Sequence, residues 1–376
     1  MNSPVAGLHL SDRQRLNWLR LIRTPNVGPA SFRDLINRFG SAETALEFLP
    51  ELTLSGGANR LAKIPSIAEV EAEMETARRA GARFVCIGEP DYPPLLKRMD
   101  HPPPVLAIKG VGAVFALPTV AIVGARNASL AGIKMARMLA AELGREGYAI
   151  VSGLARGIDT AAHQGSLSTG TVAVLAGGLD HPYPPENLGL FEEITERGAV
   201  VSEMPFGWQP RAQDFPRRNR LVAGMAFGLI VVEAADRSGS LISARLAGEM
   251  GRLVFAVPGS PLDPRARGTN GLIKDGATLV TETADVLNAL MPLVGGHATP
   301  TLPVEEPPDF SATPPPGDSE RERVAETLGQ TPVNIDEIIR HTGLHPAQVA
   351  MVLLELDLAG RLERHAGGSV SLIFID

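Results

Sequence analysis

The sequence predicts an α/β protein built on a Rossmann-like, doubly wound, mostly parallel sheet, with a small helical domain before it and a winged helix after it. Three observations carry that expectation. Short apolar runs alternate with helical stretches through the middle of the chain, the pattern of strand–helix–strand units in a parallel sheet. Each of several runs ends in a glycine-rich turn. A proline-rich stretch then separates a last block that reads as three helices and a hairpin.

In chain order, residues 1–80 read as helical. Leu16, Leu19, Leu21 and Ile22, then Phe32, Leu35, Ile36 and Phe39, recur at helical spacing. The tight turn Pro25-Asn26-Val27-Gly28-Pro29 parts the two stretches. That arrangement fits a helix-hairpin-helix, whose hairpin N–H groups hold a phosphate, and fits equally a plain αα-hairpin. Residues 81–291 form the sheet domain. Thr119–Val123, Ala149–Val151, Val172–Leu175, Leu229–Val232 and Val254–Val257 read as buried parallel strands. Lys134–Leu143 and Ser240–Met250 read as helices, and Arg83–Ile87 as an additional strand. Residues 292–320 carry eight prolines among Gly, Ser, Thr and acids. They read as a flexible linker, because too little apolar surface is present to fold. Residues 321–376 form the winged helix. Val324, Leu328, Ile335, Ile338 and Ile339 mark two short helices, Pro346–Ala359 a third, and Arg361–Ile375 a hairpin turning at Gly367-Gly368.

Bulk properties narrow the function. The 376 residues suit two or three domains. A formal net charge of −7 argues against a generally basic DNA-coating protein. Phosphates respond to local clusters, so nucleic-acid binding requires a definite patch. The single cysteine, Cys86, excludes an internal disulfide and a multi-cysteine zinc site, and no metal or cofactor is expected. Met1–Ser11 lacks a secretory pattern and no apolar run reaches membrane-spanning length. The expected location is the cytoplasm, with no membrane contact.

The candidate site lies where strands end. Val123 is followed by Gly124-Ala125-Arg126, Val151 by Ser152-Gly153-Leu154-Ala155-Arg156-Gly157, and Leu175 by Ala176-Gly177-Gly178. Ligands of open α/β sheets bind outside the carboxyl ends of strands. Glycine admits a phosphate to the backbone, and a following helix N-terminus stabilises it. Ser238-Gly239-Ser240 opens a helix in the same manner. The basic cluster is Phe215-Pro216-Arg217-Arg218-Asn219-Arg220. Arginine forks clamp phosphates and an aromatic ring stacks an unpaired base, a combination that favours single strands. This cluster is expected to supply most of the affinity. No Gly-x-Gly-x-x-Gly dinucleotide fingerprint is present. Catalytic signals are sparse. Asp159 and His163, one helical turn apart, are expected to be a hydrogen-bonded structural pair. Ser152 and Ser202 lack a nucleophile elbow.

These residues resemble the DNA-processing protein A family (DprA, also called Smf). The matching motifs are Asp91-Tyr92-Pro93, Pro103–Leu106, Val120–Arg126, Val151–His163, Val172–Gly178, Val201–Pro205, Phe215–Arg220, Ser238–Ala244 and Ala256–Gly259, in order across the middle block. The first and last blocks resemble, more weakly, the sterile-alpha-motif-like and winged-helix domains that some members carry. The resemblance implies a non-enzymatic homodimer. It would bind single-stranded DNA, protect incoming strands, and help load the RecA recombinase in natural transformation and homologous recombination. It places Arg126, Ser152, Gly153, Gly157, Phe215, Arg217, Arg218, Asn219, Arg220, Ser238, Gly239 and Ser240 at the DNA, and the glycine-rich turns add Gly124 and Arg156 to the expected site. Ala125 and Ser243 stand where members often carry a hydroxyl residue and Thr, respectively. The alternative is a nucleotide-binding protein or nucleotide N-glycosidic-bond hydrolase of a related Rossmann-like family, although the glutamate such enzymes use is not evident. Gly271–Val280 is the expected dimer contact. The final block is expected to be dispensable for DNA binding, because its proline-rich tether has no expected packing onto the sheet domain and few of its cations face a groove.

Overall fold

The structure, a computed structural model, describes residues 10–294, 314–365 and 367–373. In chain order, helices α1 (Asp12–Ile22), α2 (Pro29–Phe39), α3 (Ala42–Ser55) and α4 (Ile67–Arg79) come first. Strands β1 (Ala82–Cys86), β2 (Val105–Gly110) and β3 (Thr119–Val123) follow, then α5 (Leu130–Arg145), β4 (Ala149–Ser152), α6 (Ile158–Ser166) and β5 (Thr171–Val174). Next are α7 (Leu188–Arg197), β6 (Ala199–Ser202), α8 (Asp214–Gly224), β7 (Gly228–Val231), α9 (Gly239–Glu249) and β8 (Leu253–Ala256). The sheet domain closes with α10 (Arg267–Lys274), β9 (Thr278–Leu279) and α11 (Thr283–Val294). The last block holds α12 (Asp318–Glu326), β10 (Val333–Asn334), α13 (Ile335–Thr342), α14 (Pro346–Leu358), β11 (Leu362–His365) and β12 (Ser369–Leu372).

The described residues divide into two compact units, and the division falls within α4: one unit takes residues 72–294, the other residues 10–71 together with the described residues from 314 onward. In the first unit nine strands run in the order β1-β2-β6-β5-β4-β3-β7-β8-β9. β1 and β2 pair antiparallel, as do β2 and β6, and the remaining neighbours are parallel. The interior strand β3 is buried along its whole length, which is why Val120–Val123 reads as an unbroken apolar run. Its residues alternate between two cores. Ala121 and Val123 face one with Leu221 and Val222 of α8 and Ala244 of α9. Val120 and Ile122 face the other with Leu139 and Leu143 of α5 and Ala161 of α6. From β3 the chain winds to β4 and β5 on one side and, later, to β7 and β8 on the other. The β3–β7 gap is therefore the switch point where such sheets bind ligands.

β2, β6 and β9 were not among the strands expected from sequence; β6 and β9 are only four and two residues long. Of the expected dimer segment, Val280 is core, whereas Leu279 on the edge strand β9 is 45% exposed.

The second unit differs from the expectation of separate end domains. Helices α1–α3 and the winged helix share one core. Leu21, Phe32, Leu35, Leu46 and Leu49 pack against Met351, Leu354 and Leu358 of α14. The opposite stripe of α14, Val349, Val352, Leu353 and Leu356, packs into the winged helix itself with Val324, Ile338, Leu362 and Val370. The segment read as linker lies mostly outside the described residues. At its margins Pro292 sits inside α11 and Asp318 begins α12. No helix among the described residues is long and apolar enough to cross a membrane.

Candidate nucleic-acid interface

At the β3–β7 switch point a cleft of about 720 Å³ opens. One wall is the turn after β3, Gly124, Ala125, Arg126 and Asn127; the other is the turn after β7, with Arg237, Ser238, Gly239 and Ser240. Phe215, Arg218 and Asn219 of α8 close it, with Arg265 nearby. An adjoining recess is lined by Gly153, Ala155, Arg156 and Tyr183 together with Arg126, Phe215 and Arg218.

The α8 arginines have three different environments. Arg218 is only 6% exposed. Its guanidinium donates to the carbonyl of Gly153 and, at 2.8 Å, to that of Val174. Burial lowers its pKa, opposed by the Asp159 carboxylate. A Cβ on Gly153 would lie 1.8 Å from the Arg218 guanidinium, so glycine there is required by the close approach of the side chain. Arg217 Nε donates to Glu203 at 2.9 Å, and Arg220 also pairs with Glu203 while donating to the His101 carbonyl at 3.1 Å. Glu203 is itself buried. Arg217 and Arg220 do not line the cleft, and their charge is shared with this carboxylate. Arg218 thus braces the turn at the floor of the cleft that it lines, and the other two share a buried carboxylate beside it.

The exposed cations lie on the turns. Arg126 has no ion pair among the described residues, and its guanidinium rests over the Phe215 ring at 5.3 Å. Arg237 is exposed at the foot of α9. Arg156 stands 3.9 Å from Glu186, both more than half exposed. Arg265 is held by Asp263 at 2.9 Å. Ser238 caps α9, and its hydroxyl lies 2.7 Å from that of Ser240. Asn219 Nδ2 reaches the Gly239 carbonyl at 3.4 Å. Ser152 is fully buried, and its hydroxyl donates to the Ile122 carbonyl at 2.6 Å; it holds strand to strand and does not face the cleft. Gly157 caps α6, where the Ile158 N–H donates to the Ala125 carbonyl at 3.2 Å, tying two turns together.

Asp159 and His163 act in parallel on the turn instead of on each other. Asp159 accepts from the N–H groups of Gly153 at 3.1 Å and Ala155 at 3.4 Å. His163 Nε2 accepts from Leu154 N–H at 3.3 Å, with Nδ1 2.7 Å from Thr171 Oγ1. Burial pulls the His163 pKa down to about 3, so the ring is neutral, and the same cause raises Asp159. The sequence reading missed Arg237, Asn127, Arg265, Ile242 and Tyr183 as lining residues. Only Arg237 carried a local signal, lying beside the Ser238-Gly239-Ser240 turn.

An open sheet with glycine-rich turns, exposed cations and a capped helix end at its switch point is a Rossmann-like arrangement of the kind that seats phosphates. Residues 83–291 match the family described as DNA recombination-mediator protein A. Residues 12–76 match the DprA-like N-terminal HHH domain, and 306–368 the DprA winged helix domain. The chain belongs to this DprA/Smf family of DNA recombination mediators. It is 32% identical to Protein Smf of Synechocystis over 95% of this chain and 98% of that one. It is 35% identical to a putative DNA processing protein DprA of Mycobacterium tuberculosis, covering 91% of this chain and 87% of that one. The solved DNA processing protein A of Streptococcus pneumoniae superposes with a TM-score of 0.58 at 35% identity, covering 74% of this chain and 93% of that one. That of Helicobacter pylori, described for its single-stranded DNA binding mode, gives 0.51 at 30% identity, covering 55% of this chain and 95% of that one.

Proposed function

We propose that the chain binds single-stranded DNA in the switch-point cleft and passes it to a recombinase. The observation that carries this reading is the set of exposed cations, Arg126, Arg156 and Arg237, placed on glycine-rich turns around Phe215. Such a groove tracks a backbone while its aromatic meets a base. Gly124, Gly153, Asn219, Ser238, Gly239 and Ser240 shape the same walls. Arg218 lines the cleft while bracing its turn, and Arg217, Arg220, Ser152 and Gly157 act behind the walls.

Binding without catalysis is supported by the acid in the cleft: Asp159 is buried and accepts from two backbone N–H groups. The family resemblance supports RecA as the recipient, natural transformation and homologous recombination as the setting, and the cytoplasm as the location. Homodimerisation through α10 and the edge strand β9 is supported by the exposed Leu279, and light scattering at micromolar concentration tests it. The test of binding is a salt-dependent titration with single-stranded and duplex oligonucleotides, run beside incubation with nucleoside monophosphates. Preferential, salt-sensitive binding of the single strand with no base release is expected. Equal duplex binding, or base release, would overturn the reading.

A further inference from the structure

Tyr183 is far along the chain from the residues of the cleft, yet it closes the recess formed by Arg126, Arg156 and Phe215. Its ring meets Phe215 edge-on, with centroids 5.9 Å apart and planes at 68°. Half of the residue, 50%, remains open to solvent. Phe215 is differently placed: the guanidiniums of Arg126 and Arg218 lie over it at 5.3 and 5.9 Å. Tyr183 is therefore the more exposed of the two aromatics of this recess.

Its loop is anchored to the glycine turn. The buried Asn187 donates from Nδ2 to the Leu154 carbonyl at 2.8 Å, to the Ala155 carbonyl at 3.4 Å and to Thr160 Oγ1 at 2.9 Å. The ring is thus held in register with the turn that carries Arg156. A half-exposed ring beside two exposed guanidiniums suits a ligand that is planar and apolar at one end and anionic at the other. In a duplex the base faces are covered by their neighbours, whereas an unpaired base presents its face freely.

The geometry points to Tyr183 as the base-stacking residue of the single-strand site: one unpaired base stacks on its ring while Arg126 and Arg156 hold the flanking phosphates. This rests on the single-strand reading of the cleft. Stacking makes the site select unpaired strands and tolerate any sequence, since every base has a π-face.

The test uses the full chain, an oligothymidylate, and a matching strand with abasic positions in place of the bases, read by fluorescence anisotropy. Y183A and Y183L are expected to weaken binding of the base-bearing strand about tenfold, and Y183W to restore it. The salt slope stays unchanged because no cation is removed. On the abasic strand all variants bind as the wild type does. Y183L keeps an apolar contact to Phe215 and carries the test should Y183A not fold. Unchanged affinity for the base-bearing strand in both variants overturns the proposal. So does an equal loss on the abasic strand, which would make the ring a prop for the loop. A wild-type protein that binds neither strand overturns the single-strand reading itself.

Discussion

Helices α8 and α14 are the two to which a nucleic-acid reading of the sequence turns, and they end up in opposite situations. The first carries three arginines within four positions, of which Arg218 lines an open cleft while Arg217 and Arg220 pair with Glu203 beside it. The second occupies the recognition-helix position of a winged helix and is buried on both sides, by α1–α3 and by its own domain. Its Glu355 is 1% exposed and accepts two hydrogen bonds from Arg321 at 2.8 and 2.9 Å. Its Asp357 pairs with Arg364, which also reaches Asp34. Arg361 donates to the Gly56 carbonyl at 3.2 Å. Asn26 of the hairpin turn, the element a helix-hairpin-helix offers to phosphate, donates to the Leu358 carbonyl at 3.1 Å. Within this unit the hairpin helices and the third helix of the winged helix face each other. The comparison teaches that a motif's function is set by what covers it, and a cation's by whether a carboxylate already holds it.

The largest effect expected is at Arg218. R218M leaves the Gly153 and Val174 carbonyls without their donor and Asp159 without its cation. It should cost about 3–5 kcal/mol in urea unfolding; a loss below about 1 kcal/mol would place Arg218 among the surface clamps after all. Next is Gly56, where an added Cβ would lie 1.9 Å from the Glu355 carbonyl oxygen. G56A should force α3 from α14 and destabilise that unit by about 1–3 kcal/mol, with single-strand affinity unchanged. Loss of binding at native stability would join the two regions functionally.

Acid should act on the cleft turn through His163. Its folded pKa, about 3, lies below the unfolded 6.5, so the unfolded chain takes up the proton first. The contribution of the neutral ring is complete above about pH 6.5 and is lost as pH falls toward about 3. Asp159, whose pKa is raised, works in the opposite sense and loses stability as pH rises through its folded pKa. H163Q should flatten the acid limb of stability against pH between those limits; an unchanged limb would remove His163 from that account. The smallest effect belongs to Arg217. Because Glu203 already holds its Nε, R217A should lower the single-strand log–log salt slope by less than the ~0.7 of a full phosphate contact.

Much of this was legible in the sequence. The buried parallel strands read as apolar runs, and the glycine turns gave the edge of the sheet that carries the cleft. What was not legible depends on distant partners. Glu203 follows β6, a four-residue strand, and nothing local marks it as the partner of Arg217 and Arg220. Tyr183 reaches the site through Asn187, and Arg218 is buried only because β4 and β5 bring the Gly153 and Val174 carbonyls together. The apolar stripe Met351, Leu354 and Leu358 reads as surplus hydrophobicity on a short helix until α1–α3 cover it.

The measurement that bears most directly on the central claim is the salt dependence of single-strand binding by the R126A/R237A double variant. Two exposed, unpaired cations at the switch point predict a slope lower by about 1.4, twice the single-contact value, in a protein whose unfolding is unchanged. A slope and affinity equal to the wild type would contradict the assignment of the DNA to this cleft.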